Sequence, residues 1–263
     1  MKVFVLLLIM LFQCGILTSA DPRDDNVGQT VAISPELFEK ASAKYLEGDY
    51  DSAISLYEKL ILETGRVSGN IYYNLGNSQL SAGKLGPAMV SYERARIFIP
   101  ADSDLKANHR YAKTLMKQQD PFEEKTLLGT VLRDLFAGIP IRSMYMILLL
   151  LYYGLIVFIL TAKIYRKAGF WANLAIIVWV LAITGVAVPL RDKVRDIETA
   201  AIVTAQLTDA RYEPSREAMI HFPLYEGMRI NILRKDGSWY RIRRPDGRIG
   251  WVRADGISTI KPL

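Results

Sequence analysis

The chain has 263 residues, 51% of them hydrophobic, with a mean hydropathy of +0.13 and a formal net charge of +6. The charge is +1 over residues 1–20, −3 over 21–125, +5 over 126–196 and +3 over 197–263, so most of the excess flanks the most apolar stretch. Basic residues there meet lipid headgroups or set topology, and the pI near 9.3 therefore implies no nucleic-acid partner. A single cysteine, Cys14, excludes intrachain disulfides, Cys-rich zinc sites and thiol redox pairs, and His109 and His221 lie too far apart in sequence to suggest a metal site.

Residues 1–20 read as a secretory signal: Lys2, an apolar run, then Thr18-Ser19-Ala20 before Asp21. A lipid-attachment box at Leu11-Phe12-Gln13-Cys14 and an uncleaved anchor remain as alternatives, and all three send residue 21 onward out of the cytoplasm. Residues 21–33 form a polar leader.

Residues 34–119 carry an internal repeat. Gly48-Asp49-Tyr50, Ala53 and Tyr57-Glu58-Lys59 recur 35 positions later as Gly83-Lys84-Leu85, Ala88 and Tyr92-Glu93-Arg94. This period, with helical spacing on both sides of a central glycine, predicts tetratricopeptide helical hairpins. The second copy holds most of the signature, with Tyr72, Leu75-Gly76, Ala88, Tyr92 and a closing Pro100. In the first, Lys40-Ala41 replaces Leu75-Gly76 and Gly65 replaces Pro100. A further helix over residues 104–118, with Leu105, His109, Ala112 and Met116 on one stripe, is expected to cap the array. The outward face of the first helices offers Tyr73, Asn77, Leu80 and Ser81 as candidate partner-binding residues. Lys106 and Arg110 are candidates to join Asn77 in holding a carboxylate, with ordinary surface charge as the plainer reading.

Residues 120–142 form an amphipathic connector, lying on a bilayer surface or packed on the repeats; the sequence leaves both open. Residues 143–162 and 170–190 contain no charge, and each is long enough to cross a hydrocarbon core of about 30 Å. The loop between them, 163–169, carries Lys163, Arg166 and Lys167, but Arg191, Lys193 and Arg195 crowd the other side, so the signal sequence and the two spans fix the orientation better: the loop is expected in the cytoplasm and both large segments away from it.

The final segment, 191–263, is assigned to one domain, in which the period changes to two from Ala200 onward. Residues 201–203, 228–233, 239–243, 249–252 and 258–260 predict short strands, with Asp236-Gly237 and Asp246-Gly247 as hairpin turns. The whole is thus expected to be multidomain, α plus β: helical hairpins, a two-helix transmembrane hairpin and a small all-β barrel. Trp239, Tyr240 and Trp251 are its candidate ligand-contacting aromatics.

Glu226-Gly227-Met228, Gly237-Ser238-Trp239-Tyr240, Asp246-Gly247-Arg248 and Gly250-Trp251-Val252 resemble a bacterial SH3-type domain, without the acidic loop of proline-peptide binders. The full order of segments, with Tyr73-Asn74-Leu75-Gly76-Asn77, Tyr92-Glu93-Arg94-Ala95 and Asp104-Leu105, resembles the exported tetratricopeptide family of bacterial aerotolerance (Bat) operons, the BatE-like proteins. The resemblance implies an envelope scaffold or adaptor working with von Willebrand A-type Bat membrane proteins and a MoxR-type ATPase, in the inner membrane and facing the periplasm. Two other roles stay open: a transducer coupled through partner helices, and an accessory protein that binds the cell wall, with peptidoglycan as ligand. No enzyme and no cofactor is expected, since the sequence holds no Cys–His pair, Gly-x-Ser-x-Gly elbow, HExxH or phosphate-cradling glycine loop.

Overall fold

The computed structural model describes residues 35–64, 68–116, 135–164 and 169–262. The expected signal and leader, most of the connector and residues 165–168 of the inner loop lie outside the described residues.

Five helices open the described chain: α1 (Pro35–Leu46), α2 (Tyr50–Thr64), α3 (Gly69–Ser81), α4 (Leu85–Phe98) and α5 (Ser103–Thr114). The sequence repeat is a repeat of geometry. Gly48 and Gly83 turn the chain between paired helices at φ of 81° and 75°, a left-handed conformation that favours glycine. Ala53 and Ala88 are fully buried, as are Tyr57 and Tyr92 to within 1%. Small residues admit the ring of the second helix: a Cβ on Gly76 would lie 2.7 Å from the Tyr92 ring. Hydrogen bonds repeat too, with Ser42 Oγ 2.9 Å from the Tyr57 hydroxyl and the Tyr92 hydroxyl donating to Asn77 Oδ1 at 2.8 Å. Helix α5 continues the series, because Asn108 stands 35 residues beyond Tyr73 and donates to its hydroxyl at 3.0 Å. Asp102 caps α5 by accepting from the Leu105 amide at 2.7 Å. The helix stops at Thr114, short of the expected residue 118, and Leu105, His109 and Ala112 are buried. Met116 lies beyond it, with its Cγ 3.2 Å from where a Gly227 Cβ would stand. The end of this stretch thus meets the β-domain, whereas the sequence suggested a cap on an open array.

Helices α6 (Ile141–Ile164) and α7 (Phe170–Thr199) are long and apolar enough to cross a membrane. They pack as a hairpin around Trp179. Its indole N–H donates to the Leu151 carbonyl at 2.7 Å, its ring stacks on Phe158, and Gly154 leaves room for it. Away from that seam large apolar side chains stand exposed, among them Leu150 at 70% and Trp171 at 78%. Helix α7 runs on past the uncharged stretch ending at residue 190, through Pro189 and the charged run Arg191 to Glu198, and leads directly into β1. The β-domain was expected from residue 191; the first nine residues of that range are helix, since Arg, Lys and Glu sustain one.

The remaining chain forms seven strands: β1 (Ala200–Val203), β2 (Leu207–Arg211), β3 (Ile220–Tyr225), β4 (Arg229–Asp236), β5 (Trp239–Arg243), β6 (Ile249–Arg253) and β7 (Ile257–Thr259). They make one antiparallel sheet in the order β3-β2-β6-β5-β4-β1-β7. It curls until Gly256, just before β7, lies against Thr208 of β2. Phe222, Leu224, Met228, Ile230, Ile242 and Val252 fill the interior. Strands β2 and β3 were not expected. Leu207-Thr208-Asp209-Ala210-Arg211 shows no apolar alternation, and Pro223 argues against a strand except at an edge, where β3 lies.

Strand β1 belongs to two cores. Period-two alternation sends Ala201 and Val203 into the sheet interior, while Ala200 and Ile202, with Ile260, join the core of the helical layer.

Candidate partner-binding surfaces

The helical layer and the curled sheet meet along α4. Gly86 approaches the β-domain so closely that a Cβ there would stand 2.8 Å from the Thr204 Cα and 2.9 Å from the Val203 carbonyl oxygen. Its amide donates to Glu226 Oε1 at 2.7 Å, and Arg94 donates to the Thr259 carbonyl at 2.9 Å.

On the same helix, next to Arg94 and about two turns beyond Gly86, lies a buried carboxylate. Glu93, 5% exposed, accepts from Arg229 of β4 at 2.9 Å and from Arg96 at 2.9 and 3.1 Å, and its Oε1 lies 3.1 Å from His109 Nε2 of α5. The other amino group of Arg229 donates to Asp196 of α7 at 2.5 Å. One planar guanidinium thereby joins the helical layer, the sheet and the helix that leads to the membrane-length hairpin, using the fork geometry that suits carboxylates. Burial alone would push the Glu93 pKa up. Arg229, then Arg96 and His109, outweigh it and hold the carboxyl well below its ordinary range. Glu93 in turn raises the pKa of Arg229. Neither partner is recognisable from sequence, because 136 residues separate them.

Tyr73 and Asn77 do come together, but inwardly. Asn77 Oδ1 accepts from both Tyr92 and Asn108 at 2.8 and 2.9 Å, so it is engaged in the helix seam. Lys106 donates to the Ala101 carbonyl at 3.3 Å, and Arg110 is exposed with no ion pair among the described residues. A carboxylate clamp of Asn77, Lys106 and Arg110 is therefore not preassembled. Ser81 is exposed at the end of α3. Leu80 lines a cleft of about 260 Å³ between the helical layer and the sheet, together with Leu85, Leu115, Gln206 and Glu226.

On the sheet, Tyr240 turns partly inward against the core and lies under Lys235, 5.7 Å from the ring centroid. Trp239 and Trp251 face the opposite way, since their neighbours Ile242, Gly250 and Val252 point in. The register aligns Arg211, Trp251, Arg241 and Arg234 in one row across four strands. Beside it Arg253 pairs with Trp239, and Arg243 with Ile249. Arg253 and Arg234 have acidic neighbours in Asp255 and Asp236, whereas Arg241 and Arg243 are exposed without an ion pair among the described residues. Read linearly, residues 234–253 mix basic and aromatic side chains, but their alignment in a row exists only after β2, β4, β5 and β6 pair.

The bacterial SH3 domain family matches residues 210–258. No curated protein matches the chain. The matched region holds the Arg–Trp row from Arg211 onward and the Glu226-Gly227 turn, but begins after β1, the strand shared with the helical layer.

Proposed function

We propose that this protein is a membrane-anchored envelope scaffold or adaptor. Its helical hairpins, read as tetratricopeptide units, and its SH3-like sheet together bind protein partners, in an assembly of the Bat/MoxR type. The Arg229 junction carries this reading: two domain types that work by binding are fixed to each other and to the end of α7, as a single head on a two-helix anchor. The exact repetition of paired contacts at 35 residues supports the tetratricopeptide reading, and the SH3 match supports protein or cell-wall binding. In this reading the chain acts by binding and not by catalysis, the anchor crosses the inner membrane, and the head lies on the periplasmic side.

Photo-crosslinking residues placed at Ser81 and at Arg241, in intact membranes, test it. Capture of the same membrane protein from both positions is the expected result. Capture of nothing but lipid and wall from both would sink the adaptor. The Arg–Trp face favours one second reading, wall binding. Co-sedimentation of the full chain with purified peptidoglycan, abolished in Trp251→Ala, would move the function to that reading.

A further inference from the structure

We propose that the cleft at the foot of the head binds one aminophospholipid of the phosphatidylethanolamine class, with Arg191 and Arg195 on its phosphate, Glu198 on its ammonium and Leu148 and Leu190 against an acyl chain. The inference rests on the reading of α6 and α7 as bilayer spans. A cavity of about 470 Å³ opens where the two helices reach the end of their apolar stretch, lined by Tyr145 and Leu148 of α6 and by Leu190, Arg191, Arg195 and Glu198 of α7. Positions 191, 195 and 198 are spaced four and three apart, so they share one face of the helix. Two polar residues on the other side of the same turns are already used, since Lys193 donates to the Ile139 carbonyl at 2.8 Å and Asp196 accepts from Arg229, while Asp192 is exposed to one side of the cleft-lining row. Arg191, Arg195 and Glu198 are exposed, and none has an ion pair among the described residues.

Their order along the helix matches a lipid standing in a leaflet. The apolar floor comes first, at Leu148 and Leu190. Two guanidiniums follow at the level where a phosphate would lie, suited to it by charge and by their donor geometry. The carboxylate comes last, about 4.5 Å further along the axis from Arg195 at 1.5 Å per residue, a separation that a two-carbon ethanolamine arm can span. A primary ammonium donates hydrogen bonds to Glu198 as well as neutralising it. A trimethylated choline has no N–H to donate, and a glycerol headgroup has no cation, leaving Glu198 beside uncompensated negative charge.

The test uses the full chain reconstituted in vesicles of phosphatidylcholine alone, then extracted in mild detergent with equimolar ethanolamine, choline and glycerol phospholipids and examined by native mass spectrometry. One ethanolamine lipid retained in about tenfold preference to either competitor, a difference of about 1.4 kcal/mol, is expected. Glu198→Gln should erase the preference over the choline lipid while a phospholipid is still retained, and Arg191→Ala with Arg195→Ala should abolish retention. Equal retention of the glycerol lipid, unaffected by Glu198→Gln, would overturn the proposal and leave only a cationic patch. Insertion into the phosphatidylcholine vesicles, judged by flotation and resistance to alkaline extraction, reports on the spans separately. Insertion without lipid preference refutes the lipid site alone, whereas failure to insert refutes both.

Discussion

Glu93 is a buried carboxylate at which α4, α5 and β4 meet, through Arg96, His109 and Arg229. Two guanidiniums face this buried carboxylate, so its replacement leaves Arg96 without a carboxylate partner and Arg229 with Asp196 alone. Loss of one partner from a fully buried set costs about 3–5 kcal/mol, and the partial exposure of Arg96 and Arg229 makes that the upper end here. Glu93→Gln should therefore lower the unfolding free energy of the full chain in detergent by an amount of that order, read by denaturant titration. The pH dependence has a definite sign. The folded pKa of Glu93 lies below the ordinary 4.5, so its stabilisation is complete above that value and is lost as pH falls toward the folded pKa. Wild type should lose more stability than Glu93→Gln on acidification from about pH 5 to pH 3; parallel losses would show that the carboxylate is not held ionised. At Gly76 the constraint is space. A Cβ there would stand 2.7 Å from two Tyr92 ring carbons in a filled seam, and Gly76→Ala should cost about 1–3 kcal/mol through overpacking.

At the scale of elements, legibility depended on whether the determinant was local. The helical hairpins could be read because a left-handed glycine, a small residue and a tyrosine recur at fixed offsets within one helix pair. Strands β4, β5 and β6 showed themselves by Gly-containing turns. Strands β2 and β3 did not, because one lacks alternation and the other carries Pro223, tolerated only because β3 is an edge. The Arg–Trp row was likewise invisible, since cross-strand neighbours come from segments up to 40 residues apart in Arg211 and Trp251. On the proposed reading of this row as a contact surface, it sets stability against binding. Arg234 and Arg241 stand directly opposite, and like charges in that position destabilise a sheet. Arg241→Thr should raise stability by about 0.2–1 kcal/mol while lowering crosslinking of partners through that face. A variant that lost stability would show that the two charges do not repel across the strands, and one that captured partners undiminished would show that the row is not the contact surface.

For the whole molecule, the contacts between layers decide whether there is one head or two. Gly86 abuts backbone atoms of Val203 and Thr204, which cannot yield as a side-chain tip can. Gly86→Ala should loosen the junction without unfolding either layer, seen as faster amide exchange in β1 with protection elsewhere retained. Single cysteines introduced at Ser81 and Arg243, with Cys14 replaced, should react with an impermeant reagent from the same side of the membrane. Labelling from opposite sides would break both the junction and the anchor reading. The same-side placement was legible in the sequence but the junction was not, because sequence reasoning places domains side by side along the chain and has no means of pairing Glu93 with a residue 136 positions away.

Strand β1 also imposes an order on biogenesis. Its alternate side chains complete two interiors at once, and it emerges only after both long helices have been made. Until Ala200 and Ile202 arrive, the helical layer lacks part of its floor, although its five helices were synthesised about 90 residues earlier. The early helices must therefore wait for β1, and on the proposed reading of α6 and α7 as bilayer spans, final closure of the head becomes a report that integration has succeeded. A nascent chain arrested before residue 200 should be cut readily by protease within α4, and one extended past residue 260 should resist.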